Sequence, residues 1–536
     1  MIRPARPQPR PLSGLGQLLF GKNLDSDAQL TGVTHDSRRV VPGDLYVALP
    51  GAQVHGAAYS DDAAAAGAVA IVTDPDGRDH ASRTGLPVFV VRSPREVLGA
   101  IACWVYGDPS ARMMLIGVTG TSGKSTSTYL LEAGMRAAGH VTGLIGGVQL
   151  RIGSTVTDAG LTTPEATDLQ ALLAAMVERG VTGAAMEVSS HALSLGRVAG
   201  TRYDVSIFTN LSQDHLDFHP GMEEYFEAKK LLFTPAYTSM AVVNTGDPWG
   251  RRLAAEARVP VTTFEVEEVG SPRERGPRGE WGAGEAPHEQ GGFGGDRSPR
   301  ANWAAVDVRS GADGSSFRVI GPGGVEADAW VSLPGPFNVA NALGAIVALV
   351  EAGVRLEDAV AGISTCPGVP GRLQRVPGGP PDVFVDYSHK PGAVEAVLKA
   401  LRPVTQGNLI IVLGCGGDRD RAKRPLMGAA AASLADVAVL TSDNPRSEDP
   451  LAILQAMLEG AVSVPQHERA RVVVEPDRGA AVSYAISMAG KGDVVVVAGK
   501  GHERGQYIAG AVLPFDDAEA AAAALREGEA AGRGAR

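Results

Sequence analysis

The chain has 536 residues, enough for three or four domains of ordinary size. About 44% of the residues are hydrophobic, 20% are charged and 68 are glycine, which is typical of a folded globular protein with many turns. The 49 basic and 60 acidic residues give a net charge of −11, which argues against nucleic acid as the main partner because phosphate backbones bind basic surfaces. Three cysteines and no long uncharged apolar run predict neither a disulfide framework nor a membrane span, and the N-terminus lacks a secretory signal. We expect a cytoplasmic protein.

Three segments are poor in residues that could build a core. Residues 1–11 are rich in Pro and Arg, residues 270–300 in Gly, Pro and charged residues, and residues 526–536 in Ala, Gly, Arg and Glu. This composition predicts a disordered N-terminal tail, a flexible insertion and a disordered C-terminal tail. Interruptions near Arg112 and between Cys366 and Gly371 divide the remainder into three predicted domains, 12–112, 113–365 and 366–525.

Short apolar runs alternate with Ala- and Leu-rich helical stretches along these domains. This alternation predicts an α/β protein whose parallel sheets are joined by crossover helices. Most of the runs are continuously apolar, as expected for strands buried on both faces. The predicted strands are Ala68–Val72, Val88–Val91, Leu115–Val118, Ala184–Val188, Val205–Phe208, Val242–Asn244, Val383–Val385, Leu409–Leu413, Val437–Leu440 and Val494–Val497.

A glycine-rich turn follows the predicted strand Leu115–Val118 and precedes a helical stretch. Its residues are Gly120, Thr121, Ser122, Gly123, Lys124, Ser125 and Thr126. In such a loop, backbone N–H groups hold phosphate oxygens, Lys124 reaches the β- and γ-phosphates, and the Ser125 hydroxyl ligates Mg²⁺. Val118 stands where the generic motif has its first glycine, and the alternative is an ordinary turn between a strand and a helix.

Polar residues follow two further predicted strands. Glu187 and Ser189 end one strand, and His215 follows the next. Ligands of open α/β sheets bind beyond the carboxyl ends of the strands, so these residues are candidates for the phosphate site, with Glu187 and His215 as Mg²⁺ ligands. Taken singly, each could instead cap a helix or form an internal hydrogen bond. Lys229, on a short helix, would by itself be interpreted as part of a solvated face.

The last third of the chain has three polar loops after strands. Arg419 and Arg446 could each bind a carboxylate through two parallel hydrogen bonds, while Glu503 suits an ammonium group. This combination predicts a zwitterionic ligand such as an amino acid. Ordinary surface loops capped by Asp and Asn remain the alternative.

Taken together, these motifs resemble the Mur ligase family. The resemblance extends from Thr34-His35-Asp36-Ser37-Arg38 to Gly499-Lys500-Gly501-His502-Glu503, excluding both termini and the 270–300 insertion. It implies a three-domain α/β architecture with a central P-loop ATPase domain of mainly parallel sheet and a C-terminal Rossmann-like domain. It also implies an ADP-forming acid–amino-acid ligase that uses ATP and Mg²⁺ in peptidoglycan precursor synthesis. We expect a monomer by default.

The resemblance implies a role for each matched residue. In the ATP site it adds Asn338, Asn341, Arg372, Asp386 and His389 to the loop Gly120–Thr126. It implies that the UDP-muramoyl-dipeptide is bound by Ser37, Ala52, Gln53, Val54, Thr162, Thr163, Ser189, Arg197 and Lys229. It further implies metal ligation by Ser125, Glu187, His215 and Lys229, with Lys229 carbamylated by carbon dioxide, and catalytic roles for Lys124, Glu187, His215 and Lys229.

The family members that add diaminopimelate share the segment Asp443-Asn444-Pro445-Arg446 with this chain. The resemblance implies that these residues bind diaminopimelate together with Arg419, Gly499 and Glu503, and that its distal carboxylate pairs with Arg446. The nearest alternative is a related amide ligase, either a lysine-adding or a folylpolyglutamate-type enzyme. Arg446 argues against the first, because lysine has no distal carboxylate, and Asp36-Ser37-Arg38 argues against the second. A P-loop ATPase that uses hydrolysis to change a partner's shape would leave the charged C-terminal loops unexplained, and a non-catalytic binding module would have no use for Lys124 beside Mg²⁺ ligands. Ser388 and Lys390 are variants inside a matched segment.

Overall fold

The computed structural model describes residues 2–22, 26, 28–158, 160–267 and 301–534. Within them, three large sheets follow one another along the chain, each flanked by helices. The predicted boundaries near Arg112 and Cys366–Gly371 lie between these sheets, whereas the predicted insertion at 270–300 lies outside the described residues. Among the described helices, none is long and apolar enough to cross a membrane.

Among the described residues, the N-terminal unit contains a four-stranded parallel sheet in the order β3-β4-β5-β6. Its helix α4 begins at Pro94, which favours the first helical turn, and ends before Gly107, whose φ of 75° suits a left-handed cap. The elements are β1 (Arg10–Pro11), α1 (Leu12–Phe20), β2 (Gln29–Leu30), β3 (Gly32–Thr34), β4 (Asp44–Val47), α2 (Ser60–Ala65), β5 (Ala70–Thr73), α3 (Arg78–Ser82), β6 (Val88–Val90) and α4 (Pro94–Tyr106).

The segment before α1 is held in place, where its composition predicts a disordered tail. Arg3 donates to the fully buried carboxylate of Asp44 at 2.6 Å, and the backbone N–H groups of Ala5 and Arg6 donate to Glu178 of the central unit at 2.6 and 2.7 Å. Strand β1 also pairs antiparallel with β2. The prediction was wrong for residues 2–11. It was based on the lack of apolar side chains, whereas the contacts that hold this segment are hydrogen bonds and an ion pair.

The central unit is built on one large mixed sheet, in the order β10-β9-β8-β11-β7-β12-β13-β14-β15-β16-β17 among the described strands. From β8 to β15 neighbouring strands are parallel, and antiparallel pairs extend the sheet at both ends. The elements are β7 (Met114–Thr119), α5 (Lys124–Ala137), β8 (Thr142–Ile145), β9 (Gln149–Ile152), β10 (Thr155–Asp158), α6 (Ala166–Glu178), β11 (Gly183–Glu187), α7 (Ser190–Ser194), β12 (Tyr203–Phe208), α8 (Met222–Lys230), β13 (Thr238–Asn244), α9 (Pro248–Glu256), β14 (Val261–Val266), β15 (Trp303–Gly311), β16 (Gly314–Ile320), β17 (Glu326–Val331), α10 (Pro336–Glu351) and α11 (Leu356–Ser364).

The C-terminal unit has a sheet in the order β18-β19-β23-β20-β21-β22, parallel except at β18. Its central strand β23 is buried along its whole length, as its run of valines predicts. The elements are β18 (Gln374–Val376), β19 (Asp382–Asp386), α12 (Pro391–Leu401), β20 (Leu409–Cys415), α13 (Lys423–Leu434), β21 (Val437–Ser442), α14 (Pro450–Ser463), β22 (Arg471–Val474), α15 (Arg478–Ser487), β23 (Val494–Ala498), β24 (Gly505–Ile508), β25 (Ala511–Pro514) and α16 (Asp517–Gly534).

Helix α16 continues through most of the segment predicted as a disordered C-terminal tail. Residues 526–534 are helical, and residues 535–536 lie outside the described part. The helix begins with Asp517, whose carboxylate accepts two hydrogen bonds of 2.7 Å from the fully buried guanidinium of Arg478. Ala521, Ala524 and Leu525 pack into the core beside β19 and β23. The prediction was wrong for residues 526–534 because an Ala- and Glu-rich sequence favours a helix once its first turns are anchored.

All ten predicted strands are strands in the structure, and the predicted α/β class with parallel sheets is confirmed. The carboxyl ends of the neighbouring parallel strands β11, β7 and β12 lie at one edge of the central sheet. The segments that follow them bring the phosphate-loop candidate and the polar strand-end residues together.

Candidate active site

The loop Gly120–Gly123 connects β7 directly to the first residue of α5, which is Lys124. Gly120 and Gly123 have φ values of 149° and 90°, a region that residues with a Cβ rarely adopt. A Cβ on Gly120 would lie 1.8 Å from the Thr209 hydroxyl oxygen, and one on Gly123 would lie 2.3 Å from the Asn341 side-chain oxygen. The loop therefore needs both glycines, and its backbone N–H groups precede a helix N-terminus as an anion cradle does.

Lys124 is folded back onto the loop. Its ammonium donates to the carbonyl oxygens of Gly120 at 2.8 Å and Thr121 at 3.0 Å. Burial lowers the pKa of Lys124 to about 8, although the nearby carboxylates of Glu187 and Asp214 oppose this effect. Ser125 and Thr126, the next two residues, are buried. The Ser125 hydroxyl lies 3.4 Å from the guanidinium of Arg372 in the C-terminal unit.

The segment after β12 supports the loop from the other side. The Asn210 backbone oxygen accepts from the Thr121 N–H at 2.9 Å, and its side-chain oxygen accepts from the Ser122 N–H at 3.0 Å. The Thr209 hydroxyl donates to the Ser122 carbonyl at 2.7 Å. Thr209 and Asn210 were not predicted as site residues. Their position directly after a predicted strand could have identified them, because ligands bind at strand ends.

Glu187 ends β11 with a buried side chain, 3% exposed. Its carboxylate accepts from the Gly147 N–H at 2.9 Å. The Thr163 hydroxyl donates to the Glu187 backbone carbonyl at 3.0 Å and to the Ser189 hydroxyl at 3.3 Å. Ser189 also caps α7, where its hydroxyl accepts from Ala192 N–H at 3.2 Å. The structure thus joins Thr163, Glu187 and Ser189 in one hydrogen-bonded group, while Ser189 has the capping role that was its alternative interpretation.

His215 lies in the segment after β12 with a φ of 53°. Its Nε2 is 3.1 Å from the Asp214 carboxylate, and its ring is 4.7 Å from the ring of His191. Burial lowers the pKa of His215 to about 4, so its imidazole is neutral and can act as a ligand near pH 7. Asp214 also forms an ion pair with Lys390 of the C-terminal unit. Asp214 was not predicted as a site residue, although it directly precedes His215.

Lys229 is buried in the core-facing side of α8, with 1% of its surface exposed. Its ammonium donates to the Gly120 carbonyl at 2.9 Å and lies 4.8 Å from the centre of the Tyr225 ring. Burial, together with the charge of Lys124, holds the pKa of Lys229 well below its ordinary value. The interpretation as a solvated lysine is therefore wrong, since the side chain ends at the phosphate loop.

A cavity of about 270 Å³ opens beside the loop, between the segment after β12 and α10. Phe264, Phe337 and Gly344 form apolar parts of its lining, and Asn244 and Asp247 add polar groups. Asn341 lines the cavity, and its side-chain NH₂ lies 3.4 Å from the oxygen of buried Asn338. The cavity has the size, shape and polarity of a site for a flat heterocycle. Of its lining residues, only Asn341 was predicted.

Arg372, Asp386 and His389 approach the loop from the C-terminal unit. The Arg372 guanidinium stacks 4.5 Å above the Tyr387 ring. Buried Asp386 accepts the N–H groups of Leu373 and Ser388, both at 2.8 Å, and burial raises its pKa. The His389 Nδ1 faces the Tyr387 carbonyl at 2.7 Å, and burial lowers the pKa of His389 to about 3. Of the three, Arg372 reaches the loop directly, while Asp386 shapes the backbone around it.

A second polar site lies at the carboxyl ends of β21 and β23. The Asn444 side-chain NH₂ donates to Glu503 Oε2 at 2.8 Å, and the fully buried Lys500 donates to the Asn444 oxygen at 2.8 Å. Asp443 is buried and lies next to Gly499, whose φ of 117° again favours glycine. Among the described residues, the Asp443 Oδ1 has no hydrogen-bond partner. Pro445 is buried behind this group.

Arg446 stands at the rim of this second site with a φ of 54°. Hydrogen bonds hold this uncommon backbone geometry, from Arg446 N–H to Tyr507 O at 2.9 Å and from Ala509 N–H to Arg446 O at 2.7 Å. Its guanidinium donates to the Gly417 carbonyl at 2.6 Å. Arg419 is exposed, and both arginine side chains border Gly416. The loops after β20, β21 and β23 therefore carry both cationic and anionic side chains, and the binding of a zwitterion there stays a prediction.

The residues predicted to contact the UDP end of a substrate lie on the N-terminal unit. Ser37 begins a turn stabilised by the Asp36 carboxylate, which accepts from Arg38 N–H at 3.1 Å, and Ala52, Gln53 and Val54 form an exposed loop. Thr162 lies close to Gly147, and Arg197 pairs with Glu165 at 2.8 Å. These residues are accessible except where Arg197 is engaged by Glu165.

The predicted metal ligands surround the loop but include only two side chains of the usual metal-binding types, Glu187 and His215. No group of three or more His, Cys, Asp and Glu side chains converges within the part of the chain that the structure describes. Ser125 in the first turn of α5 and Lys229 on α8 complete the predicted set. Their donor chemistry suits Mg²⁺ only if Lys229 carries an oxygen ligand, because an amine is a poor partner for this hard cation.

Three family models match the chain in succession. They are described as "Mur ligase family, catalytic domain" at residues 29–106, "Mur ligase middle domain" at 118–349 and "Mur ligase, glutamate ligase domain" at 371–501. Proteins of this family are ATP-dependent ligases, and these matches cover most of the chain. The chain belongs to the Mur ligase family.

Similar proteins share most of the chain. The UDP-N-acetylmuramoyl-L-alanyl-D-glutamate–2,6-diaminopimelate ligase of Streptomyces avermitilis is 54% identical over 516 residues, 96% of either chain. The protein of that name from Streptomyces coelicolor is 52% identical over 526 residues, 98% of either chain. A solved structure of a ligase with the same name has a TM-score of 0.67 at 29% identity, covering 96% of this chain and 99% of its own.

Proposed function

We propose that this ligase joins 2,6-diaminopimelate to the D-glutamate of UDP-N-acetylmuramoyl-L-alanyl-D-glutamate, an ATP-consuming step of peptidoglycan precursor synthesis. The observation that carries the proposal is the second polar site, where the Asn444 side chain donates to Glu503 and Arg446, two residues after Asn444, donates to the Gly417 carbonyl of the loop after β20. The names of relatives with 52–54% identity over nearly the whole chain support the same substrates.

The reaction has two steps. An oxygen of the D-glutamate γ-carboxylate attacks the γ-phosphorus of ATP, the bond to the β-phosphate oxygen breaks, and an acyl phosphate and ADP form. The neutral amine of diaminopimelate then attacks the acyl carbon, the carbon–oxygen bond to phosphate breaks, and the amide, inorganic phosphate and a proton are released. Neither step requires a covalent bond to the protein, so positioning and charge stabilisation provide the acceleration.

The nucleotide has a binding place for each of its parts. The N–H groups of Gly120–Thr126 and the Lys124 ammonium suit the phosphates, and the 270 Å³ cavity lined by Asn341 suits the adenine. Arg372 approaches from the C-terminal unit, with Asp386 and His389 holding the adjoining backbone. ATP then lies between two units of the chain, as expected where closure excludes water from an acyl phosphate.

Magnesium would be held by Ser125, Glu187, His215 and a carbamate on Lys229. When bound, Mg²⁺ neutralises phosphate charge during transfer. Lys229 suits the modification because burial lowers the pKa of its amine and so favours the neutral form, which is the form that is nucleophilic toward CO₂. The nitrogen of the neutral amine forms a bond to carbon, one proton leaves, and an anionic carbamate then stands beside Lys124.

The second polar site would bind diaminopimelate at both ends. Glu503, fixed by Asn444, suits an ammonium group, and Arg446 suits the distal carboxylate. Lysine would leave the arginine without its anion, which is a basis for rejecting it. Ser37, Ala52–Val54, Thr162, Thr163, Ser189 and Arg197 would contact the UDP-muramoyl-dipeptide. The domain limits 12–112, 113–365 and 366–525, the monomeric state and the cytoplasmic location remain predictions.

Phosphate release from ATP with UDP-muramoyl-dipeptide tests the function. Meso-diaminopimelate, LL-diaminopimelate, lysine or no amino acid would be added in turn. We expect turnover only with a diaminopimelate isomer, and its identity will define the stereochemical preference. Equal turnover with lysine would overturn the role of Arg446, and turnover without any amino acid would favour the ATPase alternative.

Arg446→Ala tests the recognition of the distal carboxylate. We expect the KM for diaminopimelate to rise about 30-fold or more, because a charged partner is removed, while the KM for ATP stays unchanged. Arg421→Ala is the matched control, since Arg421 lies on a neighbouring loop, is exposed and pairs with Glu448. An unchanged KM for diaminopimelate in Arg446→Ala would contradict the assignment.

A further inference from the structure

The ion pair between Lys390 and Asp214 joins two different units of the chain. Lys390 immediately precedes α12 of the C-terminal unit, and Asp214 follows β12 of the central unit. Asp214 is 11% exposed and Lys390 is 28% exposed, so both charges are partly removed from water. Removing one partner of such a pair costs more free energy than on an open surface, because the remaining charge is left uncompensated in a partly buried place.

Asp214 is an anion placed where a triphosphate would bind. Its Oδ2 lies 3.1 Å from His215 Nε2, and its Oδ1 accepts from the His215 N–H at 2.9 Å. The Lys390 ammonium is the ion-pair partner of this carboxylate. Asp214 is also one of the charges that act on the two lysines at the phosphate loop, Lys124 and Lys229. Without a counter-ion, the carboxylate would repel phosphate and attract the Lys124 ammonium.

Lys390 is the cation that pairs directly with Asp214 in the part of the chain that the structure describes. Other cations around the loop have different partners: Lys124 and Lys229 donate to loop carbonyl oxygens, and Arg372 stacks on Tyr387. Lys390, like Ser388, is also a variant within a matched segment, so its role does not follow from the resemblance.

We infer that Lys390 is a positioning residue that neutralises Asp214 across the boundary between the units, so that the phosphate site is complete only when the C-terminal unit is docked. Lys124 is then free to leave the loop carbonyl oxygens and bind the nucleotide. This links the unit that binds the amino acid to the site that binds ATP. The inference rests on the proposed ATP site, but not on the identity of the amino acid.

The test is the affinity for a non-hydrolysable ATP analogue with Mg²⁺, measured by calorimetry on the full chain. Removing one partner of a close charge pair costs more than removing both, so Lys390→Met should weaken binding about tenfold or more. Combining it with Asp214→Asn should restore the dissociation constant to within about threefold of the parent, because no unpaired carboxylate is left. Lys390→Arg should bind like the parent.

The matched control is Lys399→Met, which removes an exposed lysine paired with Glu395 on the same helix, α12, and should leave affinity unchanged. Equal affinities of Lys390→Met and the parent would overturn the inference, and so would a double variant as weak as Lys390→Met, which would indicate a structural role. Failure of the proposed amino-acid specificity is distinguishable, since it would alter the turnover series and not these affinities.

Discussion

At the scale of single residues, Lys124 links the electrostatics of the free site to its function. Its pKa of about 8 lies below the ordinary 10.5 because burial disfavours its charged form. A bound triphosphate favours the charged form, so the pKa should rise on binding. Between the two values the free protein lacks a proton that the complex holds, and nucleotide binding must therefore take up a proton in this range.

Calorimetry in buffers of different ionisation enthalpy measures this uptake. We expect binding at about pH 9 to take up most of one proton and binding at about pH 6.5 to take up almost none from this group. Lys124→Arg, which stays charged throughout, should abolish the difference. Equal proton uptake by the parent and Lys124→Arg at about pH 9 would contradict the lowered pKa.

Lys229 provides the second prediction at this scale. Lys229→Ala should lower kcat about 100-fold or more, because it removes the proposed carbamate from the phosphate site. Formate or acetate should restore part of the activity by occupying the vacated space as a carboxylate. Lys230→Ala is the control, because Lys230 is the next residue but pairs with Glu227 and Glu256 at the surface. A Lys229→Ala variant that neither acid restores would count against carbamylation.

At the scale of elements, the two ends of α5 allow a matched comparison. Gly123 precedes the helix with a φ of 90°, and Gly139 follows it with a φ of 88°. A Cβ on Gly123 would collide with Asn341, whereas a Cβ on Gly139 would meet no atom within 4 Å. Each alanine substitution should cost about 1–2 kcal/mol of unfolding free energy from backbone strain.

Only Gly123→Ala should also disturb the nucleotide site, because it displaces Asn341 and the loop N–H groups. We expect its affinity for an ATP analogue to fall about tenfold or more, while Gly139→Ala keeps the parent affinity. Chemical denaturation and calorimetry on both variants separate the two effects. Equal losses of affinity would mean that stability, not loop geometry, controls binding.

The elements also show what a sequence can predict. Continuous apolar runs such as Val494–Val497 identified strands because burial on both faces requires them. Residues 2–11 and 526–534 were wrongly predicted to be disordered. Contacts between distant residues, such as Arg3 with Asp44 and Arg478 with Asp517, help to anchor these segments. These contacts join residues 41 and 39 positions apart, and no local pattern records such a pairing.

At the scale of the whole molecule, the candidate site is assembled from segments that are distant in the sequence. The loop, Glu187 and His215 could be predicted because strand ends of a parallel sheet share one edge. Asp214 and Lys390 lie 176 positions apart, and their pairing depends on how two units dock, which no motif specifies. For the same reason, the lining of the nucleotide cavity could be found only from the structure.

In the proposed reaction, ATP activates the D-glutamate carboxylate before the amino acid attacks. The most direct measurement uses UDP-muramoyl-dipeptide with ¹⁸O in that γ-carboxylate, ATP and diaminopimelate, followed by mass spectrometry of the released phosphate. Since the carboxylate oxygen that attacks phosphorus leaves with it, we predict one ¹⁸O in each phosphate and one retained in the amide product. Phosphate without ¹⁸O, formed alongside the amide, would contradict the account.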